Sequence, residues 1–137
     1  MAKQGRWTKS AQSIGTSATV LAFDTEVGTN NLHGTFTTGA AAKYTANKDI
    51  TVTLSLNVNS STISWTADYL ARFEVYVDGT LDSYIWVKYE SVSDSKAYYA
   101  SGERTVNLSS GSYVDIRCFT VHNNMVWTSD LEIKELN

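Results

Sequence analysis

The feature that most constrains the fold is the regular alternation that runs from Ile50 to Val58. Aliphatic side chains occupy every second position, and threonine, serine and asparagine occupy the positions between them. Because successive side chains of a β-strand point to opposite faces, this pattern predicts a strand with one apolar and one polar face. Burying five aliphatic side chains would contribute about 1.5–3 kcal/mol each before entropy is counted. The segment Ala46–Asp49 before the strand has the composition of a turn.

The same period of two predicts strands elsewhere in the chain. Tyr69–Val77 alternates, and Asp78-Gly79 after it is a hairpin signal, because type I′ turns need the positive φ that these residues tolerate. The partner segment, Ser83–Glu90, is apolar on both sides, with Ile85, Val87 and Tyr89 on one face and Tyr84 and Trp86 on the other. Such a strand is either central in a sandwich or covered on its outer face by another subunit. Nine to eleven short antiparallel strands are predicted in total, separated by turns rich in glycine, asparagine, aspartate and serine. No helical period is sustained, so the chain is predicted to be an all-β sandwich or barrel.

The N-terminal segment differs from the rest of the chain. Residues 1–18 are polar and contain a single isolated aromatic residue, Trp7. We expect residues 1–18 to form a polar arm and residues 19–137 to form one domain, since a chain of this length buries about two thirds of its unfolded surface in a single core. Trp7 has two interpretations. It packs the arm on the domain, or it attaches the arm to a larger particle.

Composition limits the classes of partner and compartment. A net charge of −3 and the lack of a clustered basic segment argue against a nucleic-acid partner. The sequence has no apolar run of the roughly 20 residues that a membrane-spanning helix needs, and its first residues lack the apolar core of a signal peptide. We therefore expect that the protein is made in a cytoplasm and does not insert into a membrane. Cys118 is the only cysteine, which excludes an intrachain disulfide.

Residues with catalytic or metal-binding potential are few and scattered. His33 and His122 lie in segments rich in glycine or asparagine, and neither has the spacing to a second ligand that a metal site requires. Cys118 lies in the middle of a predicted strand, where a buried thiol behaves as a small apolar group. The acidic residues in loops do not follow the calcium-loop pattern. The sequence therefore predicts no catalytic residue, no cofactor and no metal, and a protein that is not an enzyme.

Four landmarks occur along the chain in the order seen in one family. They are Phe23-Asp24 before a loop, Tyr44–Leu54 at the start of the long strand, Phe73–Gly79 ending in Asp-Gly, and the Leu-x-x-Gly-x-x-Val segment Leu108–Val114. In this order they resemble the TNF-like jelly roll of complement-type globular head domains, particularly the versions found in bacteriophage tail-fibre and capsid-fibre proteins.

The chain departs from this family pattern at four places. Asn47 stands where the family has proline, Ile50 where it has glycine, and Ser112 where it has aspartate. The segment Leu131–Leu136 replaces the usual closing Phe-x-Gly.

The resemblance implies a fold, an assembly and a role. It implies a TNF-like jelly-roll β-sandwich, a homotrimer, and a non-enzymatic structural protein of a bacteriophage virion. Such a protein would decorate the capsid or form part of a tail fibre, in contact with other virion proteins. It would be made in the host cytoplasm and located in the virion.

The aromatic residues on strand faces are candidates for the subunit interface. In the predicted strand from Tyr113 to Val121, Val114, Ile116 and Cys118 share one face, and the opposite face mixes aromatic rings with a charge pair. Such a mixture is typical of a subunit contact; the alternative is a core with a few exposed aromatics. The interface candidates are Tyr84, Trp86, Tyr113, Phe119 and Val121.

A second set of aromatic residues lies in or beside polar loops. Rings in such positions can stack on sugars or anchor a protein partner. These residues support an alternative function, a receptor- or carbohydrate-binding module at a fibre tip that binds a host-surface glycan or receptor. The set comprises Trp65, Tyr69, Tyr98, Tyr99 and Trp127.

Overall fold

The computed structural model describes residues 3–65, 69–90, 94–121 and 125–137, without the side chains of residues 63–65, 69, 90 and 94–96. Every regular element within these ranges is a β-strand. The strands are β1 Lys3–Ile14, β2 Thr19–Val20, β3 Thr25–Glu26, β4 Thr35–Thr37, β5 Lys43–Thr45, β6 Ile50–Ser60, β7 Ile63–Trp65, β8 Tyr69–Val77, β9 Thr80–Glu90, β10 Asp94–Lys96, β11 Tyr99–Leu108, β12 Tyr113–Thr120 and β13 Met125–Glu135.

Two antiparallel sheets face each other and form a jelly-roll sandwich. Sheet one has the strand order β11-β6-β13-β1-β3, and sheet two has the order β4-β5-β12-β8-β9, with β2 also paired to β12. The two sheets together hold eleven strands, and β7 and β10 form a separate small pair. The predicted fold class and strand number are therefore confirmed.

The alternating segment forms β6, which lies between β11 and β13 in sheet one. Its five aliphatic side chains, from Ile50 to Val58, are all at most 4% exposed. The polar side chains point away from the core and bond across to β11. Thr51 Oγ1 donates to Asn107 Oδ1 at 2.6 Å, and Ser55 Oγ donates to Glu103 Oε2 at 2.9 Å. The predicted faces of this strand are confirmed.

Residues 3–14 do not form an arm, and this part of the prediction is wrong. They form β1, which pairs with β13 along its length and with β3 on its other side. Trp7 is 1% exposed, and its ring stacks on Phe36 with the ring centroids 4.0 Å apart. The alternation was hidden because β1 has few large apolar residues and a bulge between Lys9 and Gln12 shifts its phase.

The hairpin between β8 and β9 turns at Asp78 and Gly79, as predicted. Both residues have positive φ, 51° and 80°, as a type I′ turn requires. Asp78 also fixes the turn to the neighbouring strand, because its Oδ1 accepts a hydrogen bond from the Tyr113 N–H at 3.0 Å.

One side of the sandwich is closed by a tight approach between β9 and β11. A Cβ atom added to Gly102 would lie 2.2 Å from the backbone oxygen of Ile85. Only glycine therefore allows the two strand edges to come this close.

Glu135 anchors a loop at the end of β13. Its carboxylate accepts hydrogen bonds from the backbone N–H groups of His33, at 2.7 Å, and Gly34, at 2.9 Å, and from the hydroxyl of Tyr44. Burial raises the pKa of Glu135, but the three hydrogen bonds and the nearby His33 lower it by more, so the net pKa lies below its ordinary value of 4.5. The charged carboxylate thus holds the loop before β4 against the end of sheet one.

Candidate interaction surfaces

The outer face of sheet two carries most of the residues predicted as a subunit interface. The strand register aligns outward side chains of β12, β8 and β9 in four rows across the sheet, with Val121 placed by its backbone bond to Leu70. We call this surface the aromatic face. Its rows are Asp115–Tyr76–Leu81, Arg117–Glu74–Tyr84, Phe119–Arg72–Val87 and Val121–Leu70–Tyr89.

Cationic side chains lie against the rings of the aromatic face. The Arg117 guanidinium carbon is 4.0 Å from the centroid of the Tyr76 ring, and that of Arg72 is 4.6 Å from the Phe119 ring. Arg117 is also bound to Asp115, with Nε 2.9 Å from Oδ1, and this hydrogen bond raises the pKa of Arg117. Cation–π contacts and ion pairs of this kind restrict the motion of the rings.

A strip of exposed apolar side chains runs along β9 at the edge of the aromatic face. Its members are Leu81, Tyr84, Val87 and Tyr89, and Val121 lies in the row of Tyr89. Tyr89 is the most exposed of them, at 59%. Exposed apolar side chains grouped in this way mark interaction surfaces more often than isolated ones do.

Two irregularities in β9 explain why the predicted faces of this strand were partly wrong. The register with β8 shifts between Phe73 and Glu74, where Ile85 has no direct partner, and again between Val75 and Tyr76, at Asp82. A shift of one residue moves a side chain to the other face. Leu81, Tyr84 and Val87 therefore share the outer face, although each is three residues from the next and residues on one face of a regular strand are two apart.

Trp86 is the interface candidate that the structure places on the inner side of sheet two, in register with the buried Phe73. It is half-buried and packs against the core, with its ring centroid 5.8 Å from Phe73 and 6.3 Å from Trp127. The extra residue in β9 is the reason, because Tyr84 and Trp86 would share a face in a regular strand. Tyr84, Tyr113, Phe119 and Val121 remain at least partly exposed on the outer side of sheet two.

Trp7, predicted as the point of attachment to a particle, is enclosed in the core. Its ring lies directly over Gly5, where an added Cβ atom would be 2.4 Å from the indole. A side chain buried in this way cannot contact another protein, so the attachment role predicted for Trp7 is wrong. The other interpretation, that Trp7 packs its segment on the domain, agrees with the structure.

The five aromatic residues predicted to contact a partner or glycan have different surroundings. Trp127 is fully buried and Tyr98 is 6% exposed, so these two predictions are corrected. The alternation of β13 turns Trp127 inward, and Tyr98, just before β11, is held beside Ser60 by two hydrogen bonds of its backbone. Tyr99 is 81% exposed. The side chains of Trp65 and Tyr69 lie outside the described residues. Of the three members whose side chains are described, Tyr99 is the one at the surface.

Among the described residues, the side chains capable of nucleophilic or acid–base chemistry are not grouped together. Cys118 is fully buried in β12, and burial raises the pKa of its thiol. His33 lies exposed beside Glu135, and His122 is outside the described residues. Within the described residues no three histidine, cysteine, aspartate or glutamate side chains are grouped to hold a metal ion. In the same part of the chain, no helix has the length and apolar character to cross a membrane.

The sandwich and its strand order define a class of structure, the jelly roll of complement C1q-like and TNF-like globular domains. The globular domain of zebrafish complement 1qA protein superposes with a TM-score of 0.64 at 12% identity, covering 95% of this chain and 94% of that chain. Eiger TNF from S. frugiperda superposes with a TM-score of 0.60 at 6% identity, covering 99% and 93%. No protein-family model and no curated protein matches the sequence. The likeness establishes the TNF-like jelly roll predicted from the landmarks.

Proposed function

We propose that this protein is a non-enzymatic structural component of a bacteriophage virion, a homotrimeric jelly-roll module that decorates the capsid or forms part of a tail fibre. The aromatic face carries this proposal. Members of the family that the landmarks resemble typically assemble as homotrimers, and the shared jelly roll supports that assembly here. The phage context is supported by the resemblance to fibre proteins.

The aromatic face has the chemistry expected of a contact between copies of one chain. Apolar side chains of β9 lie at its edge, and the ion pair between Arg117 and Asp115 lies farther in. This pair balances its own charge, so a second protein surface can cover it without meeting an excess of either sign. The outer face of sheet one is more polar than the aromatic face, because its strand β6 presents threonine, serine and asparagine there.

Mass spectrometry of purified phage particles tests the virion role. We expect the protein to be present in a fixed copy number per particle, and that number should be a multiple of three. Its absence from purified particles, with normal amounts in the infected cell, would contradict the proposal.

Incorporation of variants tests whether assembly uses the aromatic face. Tyr84→Glu combined with Val87→Glu places two carboxylates among exposed apolar side chains, so we expect a folded protein that no longer enters particles. Thr105→Glu on the outer side of sheet one is the matched control and should be incorporated normally. Normal incorporation of the double variant would refute the role of this face.

A second candidate function is recognition of a host-surface receptor or carbohydrate. One observation favours it, the exposure of the Tyr99 ring on the outer side of sheet one. An exposed aromatic ring is able to stack on the apolar face of a sugar. This function is compatible with the first, because Tyr99 and the aromatic face belong to different sheets.

A further inference from the structure

The segment between β3 and β4 crosses one side of the sandwich, from sheet one to sheet two. We call residues 27–34 the strap. The first half of the strap is tied to β1 by bonds between backbone groups. The Val27 N–H donates to the carbonyl oxygen of Arg6 at 2.9 Å, and the Asn31 N–H donates to that of Gln4 at 3.1 Å. Backbone groups do not titrate, so this half of the strap is held in the same way at every pH.

The second half of the strap is held mainly by one carboxylate. The N–H groups of His33 and Gly34 donate to the two oxygens of Glu135, at 2.7 Å and 2.9 Å, and the Tyr44 hydroxyl donates to the same oxygen as Gly34. Leu32 comes just before these residues, is partly buried and packs against the core. The place of Leu32 on the core therefore depends on bonds to a group that can lose its charge.

A proton on Glu135 is incompatible with these bonds. A carboxylate accepts on both oxygens, whereas a carboxylic acid carries an O–H donor on one of them. If the proton is on Oε1 it faces the His33 N–H, and if it is on Oε2 it faces the N–H of the buried Gly34. Either way one N–H of the strap loses its acceptor, which costs free energy. A further bond, from Asn47 Nδ2 to the carbonyl oxygen of His33, is exposed, so water competes for both groups.

The surroundings of Glu135 favour its charged form at neutral pH. Its register partner on β1 is Lys3, and its register partner on β6 is Val52, which carries no charge. From the other side, the Tyr44 hydroxyl on β5 donates to it, and His33 in the strap favours the carboxylate. Burial raises the pKa of Glu135, but the hydrogen bonds and His33 lower it by more, to below 4.5. Glu135 is therefore charged at pH 7 and takes up its proton only in acid.

We propose that the strap is an acid-sensitive device, in which protonation of Glu135 releases residues 32–34 from the end of sheet one while the sandwich stays folded. Release uncovers apolar surface, because Leu32 leaves the core and Gly34 leaves the ring of Tyr44, against which it is closely packed. The bonds between the first half of the strap and β1 remain, so the opening is local. This inference goes beyond the proposed function and does not depend on which surface joins the copies.

Backbone order parameters from NMR relaxation of the ¹⁵N-labelled full chain test the proposal, because they report on the folded molecules. At pH 7 we expect about 0.85 for residues 32–34 in the wild type and below about 0.6 in Glu135→Gln, whose side chain is neutral at every pH. On acidification the wild-type values for residues 32–34 should fall with a midpoint below pH 4.5, while those of β6 stay near about 0.85. Glu132→Gln, on the same strand but pointing outward, should behave as the wild type.

Two results would overturn the proposal. The first is a strap in Glu135→Gln that is as ordered as that of the wild type at pH 7. The second is a loss of order in acid that affects residues 32–34 and β6 together, because Glu135 would then stabilise the whole fold and not the strap. If Glu135→Gln does not fold, the acid titration of the wild type decides by the second criterion alone. None of these results depends on incorporation into particles, so the virion proposal stands or fails separately.

Discussion

At the residue scale, the interior of this protein contains a charged carboxylate, that of Glu135, which is held by hydrogen bonds. Glu135 is 7% exposed, and its carboxylate receives three hydrogen bonds. The pKa of Tyr44 is raised by burial and by this carboxylate. Gly34 completes the arrangement, since a Cβ atom there would lie 2.4 Å from the tyrosine ring. Glu135 is 101 residues from Gly34 and 91 from Tyr44 in sequence, and only the closed sandwich brings it to them.

The replacement Glu135→Gln should destabilise the protein by about 1–3 kcal/mol at pH 7, because an amide cannot accept all three hydrogen bonds. The pKa of Glu135 is lower in the folded state, so its contribution is fully present above pH 4.5 and is lost as pH falls through the folded value. The stability difference between wild type and variant should therefore shrink on acidification. Urea unfolding at several pH values measures it.

Glu132→Gln is the control for this experiment, because Glu132 lies on the same strand but points outward. Its effect should stay within about 0.5 kcal/mol. If the difference in free energy of unfolding between wild type and Glu135→Gln does not change with pH, the carboxyl group of Glu135 is not charged in the folded protein as we predict.

At the scale of single elements, the strands with regular alternation were predictable and the irregular ones were not. The faces of β6 and the turn at Asp78-Gly79 follow from local chemistry alone. Strand β1 was missed because its phase is broken at Ala11, and the faces of β9 were misassigned because of the extra residue Ile85. A bulge depends on the partner strand, which a single sequence does not display.

The place of β1 inside the domain gives a direct prediction. Trp7→Ala should lower the free energy of unfolding by about 3–5 kcal/mol, because it empties a large buried volume against Phe36. Thr8→Ala, one residue further on the outward side, should change it by less than about 0.5 kcal/mol. Urea unfolding followed by circular dichroism compares them. If residues 3–14 were a separate arm, Trp7→Ala would leave the transition unchanged.

At the scale of the whole molecule, the jelly roll was predictable and its interaction surfaces were only partly so. Strand count, turn chemistry and the order of the landmarks are properties of the sequence itself. The aromatic face was predicted in part, through Tyr84, Phe119 and Val121, whereas Val87 and Tyr89 belong to it because of the register of β9. The exposure of Tyr99 and the burial of Tyr98 and Trp127 could not be told apart in the sequence, because burial depends on which strands the sheet order places side by side.

We propose that copies of this chain associate into a trimer through the aromatic face. Size-exclusion chromatography with light scattering at micromolar concentration measures the mass of the assembly. We predict three times the chain mass of 15.1 kDa for the wild type and for Thr105→Glu, and the mass of a folded monomer for Tyr84→Glu combined with Val87→Glu. A monomeric wild type would refute the trimer, and a trimer that the double variant leaves intact would show that the aromatic face is not the subunit contact.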